Sequence, residues 1–68
     1  MSNIPNFVFS NLEKMFAERI HRGFLLSDIR KLTGISSVTL ENYETKQGRP
    51  GRKNYNKLAK IFGWEEWL

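Results

Sequence analysis

Three consecutive residues, Gly34, Ile35 and Ser36, separate two short amphipathic patterns and constrain the fold of this chain more than any other feature. The pattern before them predicts a helix over residues 28–33, and the pattern after them predicts a helix over residues 37–45. Glycine adopts backbone conformations that other residues resist, so Gly34 can end the first helix, while Ser36 is suited to cap the second. A connection this short allows the two helices to cross at a steep angle.

The predicted helices on either side of this turn each have a capping signal and an inward face. Ser27 is expected to cap the first helix, and Asp28 suits the positive end of its dipole. The residues expected to face the core are Ile29 and Leu32 in the first helix and Leu40 and Tyr43 in the second.

An earlier helix is predicted over the segment SNLEKMFAERIHRG. Ser10 is a suitable N-cap, with Glu13 three residues later to complete a capping box, although Pro5 offers an alternative and earlier start. Gly23 can take the left-handed conformation that ends a helix. Apolar residues recur in this segment at helical spacing and are expected to face inward: Leu12, Met15, Phe16 and Ile20.

The last third of the chain contains a turn-rich basic segment, KQGRPGRK, followed by another helix. Asn54 is expected to cap this helix and Gly63 to end it, and the closing WEEWL can form one further helical turn. The inward face is predicted to comprise Tyr55, Leu58, Ala59 and Phe62. Because no strand pattern or repeat occurs, the sequence predicts a small all-α fold of four to five helices in one domain, residues 1–68, with residues 1–6 flexible.

The chain is short and has no cysteine, so neither a disulfide framework nor a thiolate metal site can stabilise it. A core must therefore form from side chains alone, and five Phe, two Trp and two Tyr supply much of it. No apolar run approaches the roughly 18 residues of a membrane span, and the N-terminal segment lacks the features of a signal peptide. These observations favour a cytoplasmic protein with no membrane partner.

Positive charge is concentrated in the C-terminal third of the chain. Residues 1–44 carry equal numbers of basic and acidic side chains, whereas residues 45–68 carry six basic side chains against Glu65 and Glu66. The C-terminal third therefore accounts for the whole net charge of +4. Such asymmetry indicates an anionic partner, with nucleic acid as the first candidate and a membrane surface as the second, and a lysine-rich surface without a partner is the simpler alternative.

Two segments, SDIRKLTGISSVTLENYE and NKLAKIFGW, resemble the lambda-repressor/Cro-type (XRE) helix-turn-helix proteins. The resemblance covers residues 12–68, and it is carried by the turn at residues 34–36, the Thr39-Leu40 and Tyr43-Glu44 pairs, and the Leu58-Ala59 helix ending at Gly63. The stretch KLTGISSVTLENYE is also similar to the helix-turn-helix of MerR-type regulators, but a complete helix precedes it and no two-stranded wing is predicted to follow. The resemblance implies a lambda-repressor-like DNA-binding domain with its helix-turn-helix at about residues 27–45.

Two positions depart from the Cro-type pattern. Leu26 stands where the family usually has a glutamine that contacts a phosphate, and Arg30 stands where it usually has an alanine packed under the recognition helix. An arginine at that place either changes the helix register or crossing angle, or it tilts outward and pairs with Glu41 or a phosphate.

The outward face of the helix at 37–45 provides the candidate base-reading residues. With Leu40 and Tyr43 inward, helical geometry turns the opposite side of this helix outward. The residues on that side are Ser37, Val38, Glu41 and Asn42. In the resembled family these positions read bases in the major groove, where asparagine can bond adenine, glutamate can accept from cytosine and valine can pack on a thymine methyl. The alternatives are a salt bridge between Glu41 and Arg30 and a solvated face, while Glu44 is expected to be structural, bonded to backbone or to a basic neighbour.

A second set of residues is expected to contact the DNA backbone. Arginine and lysine in a flexible loop suit phosphate contact, and helix N-termini offer free backbone amides to phosphates. The predicted phosphate contacts are Ser27, Thr39, Lys46, Arg49, Arg52, Lys53 and Asn54. The Gly48-Arg49-Pro50 tripeptide also resembles the core of the minor-groove AT-hook, which has a further arginine where this chain has Gln47. Minor-groove insertion and a solvated loop without a partner are the alternatives to backbone contact.

The C-terminal apolar residues are divided between the core and a candidate interface. Trp64 is expected to close the core, whereas Trp67 and Leu68 are expected to form an exposed apolar tip. Repressors of the resembled type often pair through their last helix, so these two residues are candidates for dimerisation. A homodimer on double-stranded DNA is therefore expected.

Nothing in the sequence assembles a catalytic centre. His21 is the single histidine and has no oriented partner, Glu65 and Glu66 lie on different sides of a helix, and no phosphate-cradling motif occurs. The chain is expected not to be an enzyme and to need no metal, cofactor or small-molecule ligand.

The sequence as a whole favours a transcriptional regulator. A Cro-like phage or plasmid repressor that reads an operator with residues 37–45 is the expected function. The alternative is a protein-binding module on the same fold, such as a phage-made inhibitor or a protein that docks on polymerase or on another regulator.

Overall fold

The computed structural model describes residues 3–68, and this part of the chain contains five α-helices and no strand. The helices are α1 (Asn6–Glu13), α2 (Met15–His21), α3 (Leu26–Thr33), α4 (Ser37–Glu44) and α5 (Arg52–Phe62). The predicted all-α class is confirmed for these residues. None of these helices has the length and apolar character that crossing a bilayer requires.

The first helix begins before the predicted start at Ser10, so that prediction is wrong. Its N-cap is Pro5, whose carbonyl accepts the amide hydrogen of Val8 at 3.0 Å. Proline has no N–H to leave unpaired and its φ is fixed near the helical value, so it suits a helix start. Ser10 lies on the exposed side of α1. Of residues 1–6, predicted to be flexible, the first two lie outside the described range and Asn6 is already helical.

A one-residue interruption at Lys14 divides the predicted N-terminal helix into α1 and α2. After it, α2 turns Met15 and Arg19, one turn apart, towards the core. The expectation that Phe16 and Ile20 face inward is wrong, since these side chains are 53% and 55% exposed. The physical reason is that Arg19, which bonds a buried carboxylate of α4, occupies the inward position.

The connection between α3 and α4 follows the prediction closely. Gly34 adopts a left-handed φ of +77° and ends α3, and the Ser36 hydroxyl accepts the amide hydrogen of Thr39 at 3.2 Å to cap α4. Leu40 and Tyr43 are buried, as predicted. The predicted bounds of α4 are met to within one residue.

The beginning and the outer side of α3 differ from the prediction. Leu25 rather than Ser27 is the N-cap, and the Leu25 N–H donates to the Asp28 carboxylate at 2.9 Å. Leu32 is exposed, so its predicted inward position is wrong. Thr33 is buried instead, because its hydroxyl finds hydrogen-bond partners in α3 and in the turn that follows.

Buried side chains form two clusters that share α5. The inner cluster consists of Met15, Ile29, Ile35, Leu40, Tyr43, Leu58 and Phe62. The terminal cluster consists of Val8, Tyr55, Ala59 and Trp67. The inward face predicted for α5 is confirmed and is divided between the two clusters, so this helix joins them.

Residues 64–68 are not helical, and the predicted final helical turn is wrong. The Asn56 carboxamide accepts the Trp67 N–H at 2.7 Å and donates to the Trp67 carbonyl at 2.8 Å, so both backbone groups bond to α5 instead of to a helix of their own. Trp67 is therefore only 8% exposed and its predicted exposure is wrong, whereas Leu68 is 91% exposed as predicted. Trp64 packs against both clusters, which confirms its predicted place in the core.

Candidate nucleic-acid interface

The outer face of α4 carries the four residues predicted to read bases. Val38 and Glu41 are exposed, whereas Ser37 and Asn42 are half-buried. None of the four belongs to the inner cluster, and Val38 and Glu41 are the most accessible to a partner.

Asn42 is partly covered by the α4–α5 loop, residues 45–51. The chain leaves α4 through Lys46, which has a left-handed φ of +63°, and the Gln47 N–H donates to the Asn42 carbonyl at 2.9 Å. A Cβ added to Gly48 would lie 3.8 Å from the Cβ of Asn42. The basic loop and the outer face of α4 therefore form one continuous surface.

Thr39, predicted to contact a phosphate, takes part in the cap of α4. The Ser36 hydroxyl donates to the Thr39 hydroxyl at 2.9 Å while accepting the Thr39 N–H. Thr39 is half-buried. Its own hydroxyl hydrogen is the group left to donate to a phosphate oxygen.

Two arginines at this surface rest on aromatic rings from other parts of the chain. The guanidinium carbon of Arg49 lies 5.3 Å from the centre of the Phe9 ring, and that of Arg52 lies 5.4 Å from the Trp67 ring. Such contacts orient the planar guanidinium while its N–H groups remain available to an anion. The Trp67 ring thus packs against Arg52, a predicted phosphate contact, and does not form part of an exposed apolar tip.

The lysines of the same region are less constrained. Lys46 lies 3.5 Å from the Glu13 carboxylate, and both side chains are exposed, so the pair contributes little to stability. Lys53 is exposed in the first turn of α5. With Lys57 and Lys60 it recurs at i, i+4 and i+7, which places the three on one side of α5, opposite the side that enters the clusters. Positive charge therefore continues from the loop along α5.

Two further phosphate candidates lie in the first turns of helices. Because α5 begins at Arg52 after Gly51, the prediction that Asn54 is its N-cap is wrong, and the Asn54 carboxamide instead donates to the Tyr43 hydroxyl at 3.3 Å. Ser27 is half-buried in the first turn of α3. At both places the backbone amides of the first helical turn are the groups suited to an anion.

The end of α4 is fixed by a buried ion pair. The Arg19 guanidinium donates to the Glu44 carboxylate at 2.6 and 3.1 Å, and the two side chains are 9% and 5% exposed. Arg19 also donates to the carbonyl of Phe24 at 2.9 Å. The expectation that Glu44 is structural and bonded to a basic neighbour is confirmed. Arg19 was not among the residues predicted to face inward, because apolar spacing alone does not indicate that a charged residue faces the core.

Arg30 is exposed on the outside of α3, so of the two alternatives for this residue the outward one is found. Within residues 3–68 the ion pairs are Arg19–Glu44, Arg22–Glu18 and Lys46–Glu13, and none joins Arg30 to Glu41. Glu41 is therefore available on the outer face of α4.

Comparisons of the chain with protein-family models, with curated proteins and with solved structures give no match.

Proposed function

We propose that this protein is a sequence-specific double-stranded DNA-binding transcriptional regulator, a Cro-like repressor of phage or plasmid type that acts in the cytoplasm. In this proposal α3 and α4 form a lambda-repressor-like helix-turn-helix, and α4 enters the major groove. The observation that carries the proposal is the arrangement around α4: a Ser36-capped helix exposes Val38 and Glu41 beside a loop whose Arg49 is held in place by Phe9.

Recognition divides between base edges and phosphates. The major groove is about 12 Å wide and admits an α-helix, so Val38 can pack on a thymine methyl and Glu41 can accept from a cytosine amine. Asn42 and Ser37, which are half-buried, contribute at the edges of the same face. The cations of the loop and of the first turn of α5 supply most of the affinity through phosphate contacts, which carry little sequence information.

The proposed state on DNA is a homodimer. Two half-sites one helical turn apart, about 34 Å, match the two-fold symmetry of such a dimer. Because Trp67 is buried within its own chain, Leu68 is the remaining C-terminal candidate for the dimer contact.

Selection of binding sites from a random DNA library with the purified chain tests this function directly. Enrichment of a sequence with two-fold symmetry supports a dimeric regulator that reads sequence, and the half-site spacing defines its geometry. Enrichment of one unsymmetrical site supports the DNA-binding function and contradicts the proposed homodimer. Absence of enrichment contradicts the proposal.

Two substitutions separate base reading from phosphate contact at the selected site. Asn42→Ala is expected to relax the preference at one base pair and to cost about 1–3 kcal/mol there. Arg49→Ala is expected to weaken binding to all sequences alike and to make the affinity less dependent on salt. If neither change affects binding, α4 and its loop are not the DNA-binding face.

A protein-binding module is the second candidate function, and one observation favours it. Phe16 and Ile20 are about half exposed and lie one turn apart on α2, where they form an apolar surface of the kind found at protein interfaces.

The salt dependence of binding distinguishes the two functions. DNA affinity should fall by about two to four orders of magnitude between roughly 50 and 200 mM salt, whereas a mainly apolar interface should change little.

A further inference from the structure

A cleft of about 480 Å³ opens between α1 and the α4–α5 loop. Phe9 and Leu12 of α1 line one side of it, Gln47 and Gly48 of the loop line the other, and Tyr43 of α4 lies between them. Clefts that bind small ligands have volumes of about 300–1,000 Å³ and combine apolar walls with a few polar groups. This cleft has both properties.

Three charged side chains also line the cleft. Arg49 lies against the Phe9 ring, and Lys46 lies 3.5 Å from the Glu13 carboxylate. With two cations and one carboxylate, the lining carries a net positive charge. The Lys46–Glu13 pair is exposed and therefore weak, so an incoming anion can replace Glu13 as the partner of Lys46.

The backbone at Lys46 is a second, independent observation. Its left-handed φ of +63° is a conformation that the other described residues adopt only at Gly23, Gly34 and Gly63. A side chain in this conformation costs free energy that a glycine avoids, and such costs are concentrated at functional sites. A lysine at this position is thus consistent with a function for its ammonium group.

We propose that the cleft between α1 and the α4–α5 loop binds a small aromatic carboxylate. The ring lies against Leu12 and Tyr43, and the carboxylate bonds to Arg49 and Lys46. Arginine suits this contact because its planar guanidinium can bond both oxygens of a carboxylate at once. No small-molecule ligand was expected from the sequence, since the two sides of the cleft are far apart in the chain.

A regulatory consequence follows, and it depends on the proposed DNA-binding function. Lys46 and Arg49 cannot bond a ligand carboxylate and a DNA phosphate at the same time. The loop that carries them also packs on Asn42. The ligand is therefore expected to lower the affinity for DNA, and DNA to lower the affinity for the ligand by the same factor.

The test uses the full chain, isotope-labelled for amide NMR, and two matched compounds, 2-naphthoate and the neutral 2-naphthamide. For a ligand of this size a dissociation constant of about 1 mM is expected. Naphthoate should shift the amide signals of the cleft residues Phe9, Tyr43, Gln47 and Gly48. It should bind about tenfold more tightly than naphthamide, since only the carboxylate forms charge-assisted bonds.

Variants show whether the cations are responsible. Arg49→Gln should lower the affinity for naphthoate about fivefold to tenfold and leave that for naphthamide unchanged. Lys60→Gln removes the same charge from α5 outside the cleft, so it should change neither affinity. The amide spectrum of each variant also shows whether the fold is retained.

Three results would overturn the cleft assignment: no shifts at several times the expected dissociation constant, shifts centred on Phe16 and Ile20, or equal affinities for the two compounds. The regulatory consequence is tested separately by adding naphthoate to the complex with a selected DNA site. Unchanged DNA affinity rejects the regulation and retains the binding site. If the chain binds no DNA, the proposed function fails while the NMR result still decides the cleft.

Discussion

The two clusters of the core are held together by different kinds of contact. In the inner cluster, apolar side chains from α2, α3, α4 and α5 meet, and the buried pair of Arg19 and Glu44 lies at its edge. In the terminal cluster, neutral hydrogen bonds are prominent, because the Tyr55 hydroxyl donates to the Glu65 carbonyl at 2.8 Å and accepts from the Asn11 amide at 2.9 Å. The inner cluster therefore depends on apolar burial and on a buried ion pair. The terminal cluster depends on hydrogen bonds between polar groups that surround its aromatic rings.

Each cluster supports a different part of the molecule. The inner cluster fixes α3 and α4 against α5 and so positions the proposed base-reading helix. The terminal cluster fixes α1 and residues 64–68, and the rings of Phe9 and Trp67 in these segments support Arg49 and Arg52. Damage to the inner cluster is expected to unfold the chain. Damage to the terminal cluster is expected first to loosen the chain ends and the two arginines.

Arg19→Met is expected to give the largest effect. It leaves the Glu44 carboxylate, 5% exposed, without its partner. An uncompensated buried charge costs about 3–5 kcal/mol, which is a large part of the stability of so small a protein. Urea denaturation should show the free energy of unfolding falling by this amount.

Glu13→Gln is the matched control, because it removes an exposed ion pair instead of a buried one. Its effect is expected to stay below about 1 kcal/mol. The double variant Arg19→Met with Glu44→Leu removes both charges and should regain much of the stability lost by the single change. If Arg19→Met costs no more than Glu13→Gln, the inner cluster does not depend on the ion pair.

Asn56→Ala is the corresponding test of the terminal cluster. It removes the two hydrogen bonds to the backbone of Trp67, each of which contributes about 0.5–1.5 kcal/mol, so a loss of about 1–3 kcal/mol is expected. Tryptophan emission should shift to longer wavelength as Trp67 meets water. Lys57→Ala, next to it on the surface of α5, should change stability by no more than about 0.5 kcal/mol. Unchanged emission in the Asn56 variant would show that the tail is held by packing alone.

The elements that could be predicted from the sequence are those with local signals. Gly34, Ser36 and the spacing of Leu40 and Tyr43 define the turn and α4, since a left-handed glycine, a capping hydroxyl and helical periodicity each act within a few residues. The outer face of α4, which carries the base-reading candidates, follows from the same periodicity.

The elements that were predicted wrongly depend on partners distant in the chain. Pro5 and Ser10 both signal a helix start, and nothing local shows that α1 extends back to Pro5. Periodicity placed Phe16 inward because it is apolar, whereas Arg19 takes that side because of Glu44. The contacts of Arg49 with Phe9 and of Arg52 with Trp67 likewise join distant segments, so no local pattern indicates them.

Tyr55 gives the terminal cluster a dependence on pH. Burial of its hydroxyl raises the pKa of Tyr55 above the ordinary value of 10.0, the Asn11 hydrogen bond lowers it in part, and the Glu65 charge raises it. Since the unfolded chain loses this proton at a lower pH than the folded chain, the stability linked to neutral Tyr55 is fully present below about pH 10 and is lost as the pH rises through the folded-state pKa.

Tyr55→Phe is therefore expected to cost about 1–3 kcal/mol at neutral pH, through its two lost hydrogen bonds, and to lose less further stability at about pH 11 than the parent chain does. Thermal unfolding at the two pH values measures both effects. Tyr43→Phe, in the inner cluster, retains Tyr55 and should retain the alkaline loss. An equal alkaline loss in the Tyr55 and Tyr43 variants would place the titrating group elsewhere.

The smallest change in stability is expected at the end of α4, where no glycine follows the helix. α3 and α5 end at Gly34 and Gly63, both with left-handed φ, whereas α4 ends through Lys46 in the same conformation. A Cβ is unfavourable there, and the greater freedom of glycine in the unfolded chain offsets part of the difference. Lys46→Gly is therefore expected to be more stable than Lys46→Ala by about 0.5–1 kcal/mol, measured by urea denaturation.

Both Lys46 variants lack the same ammonium group, so their affinities for DNA and for 2-naphthoate should be equal to each other and lower than those of the parent chain. If the glycine variant proves less stable than the alanine variant, the entropy of glycine outweighs the left-handed penalty, and the backbone at Lys46 gives no support to the cleft. If the glycine variant is more stable than the alanine variant and binds naphthoate less tightly than the parent chain, stability and binding favour different residues at this position. Lys46 would then be retained for its charge, against the conformational preference of the backbone that carries it.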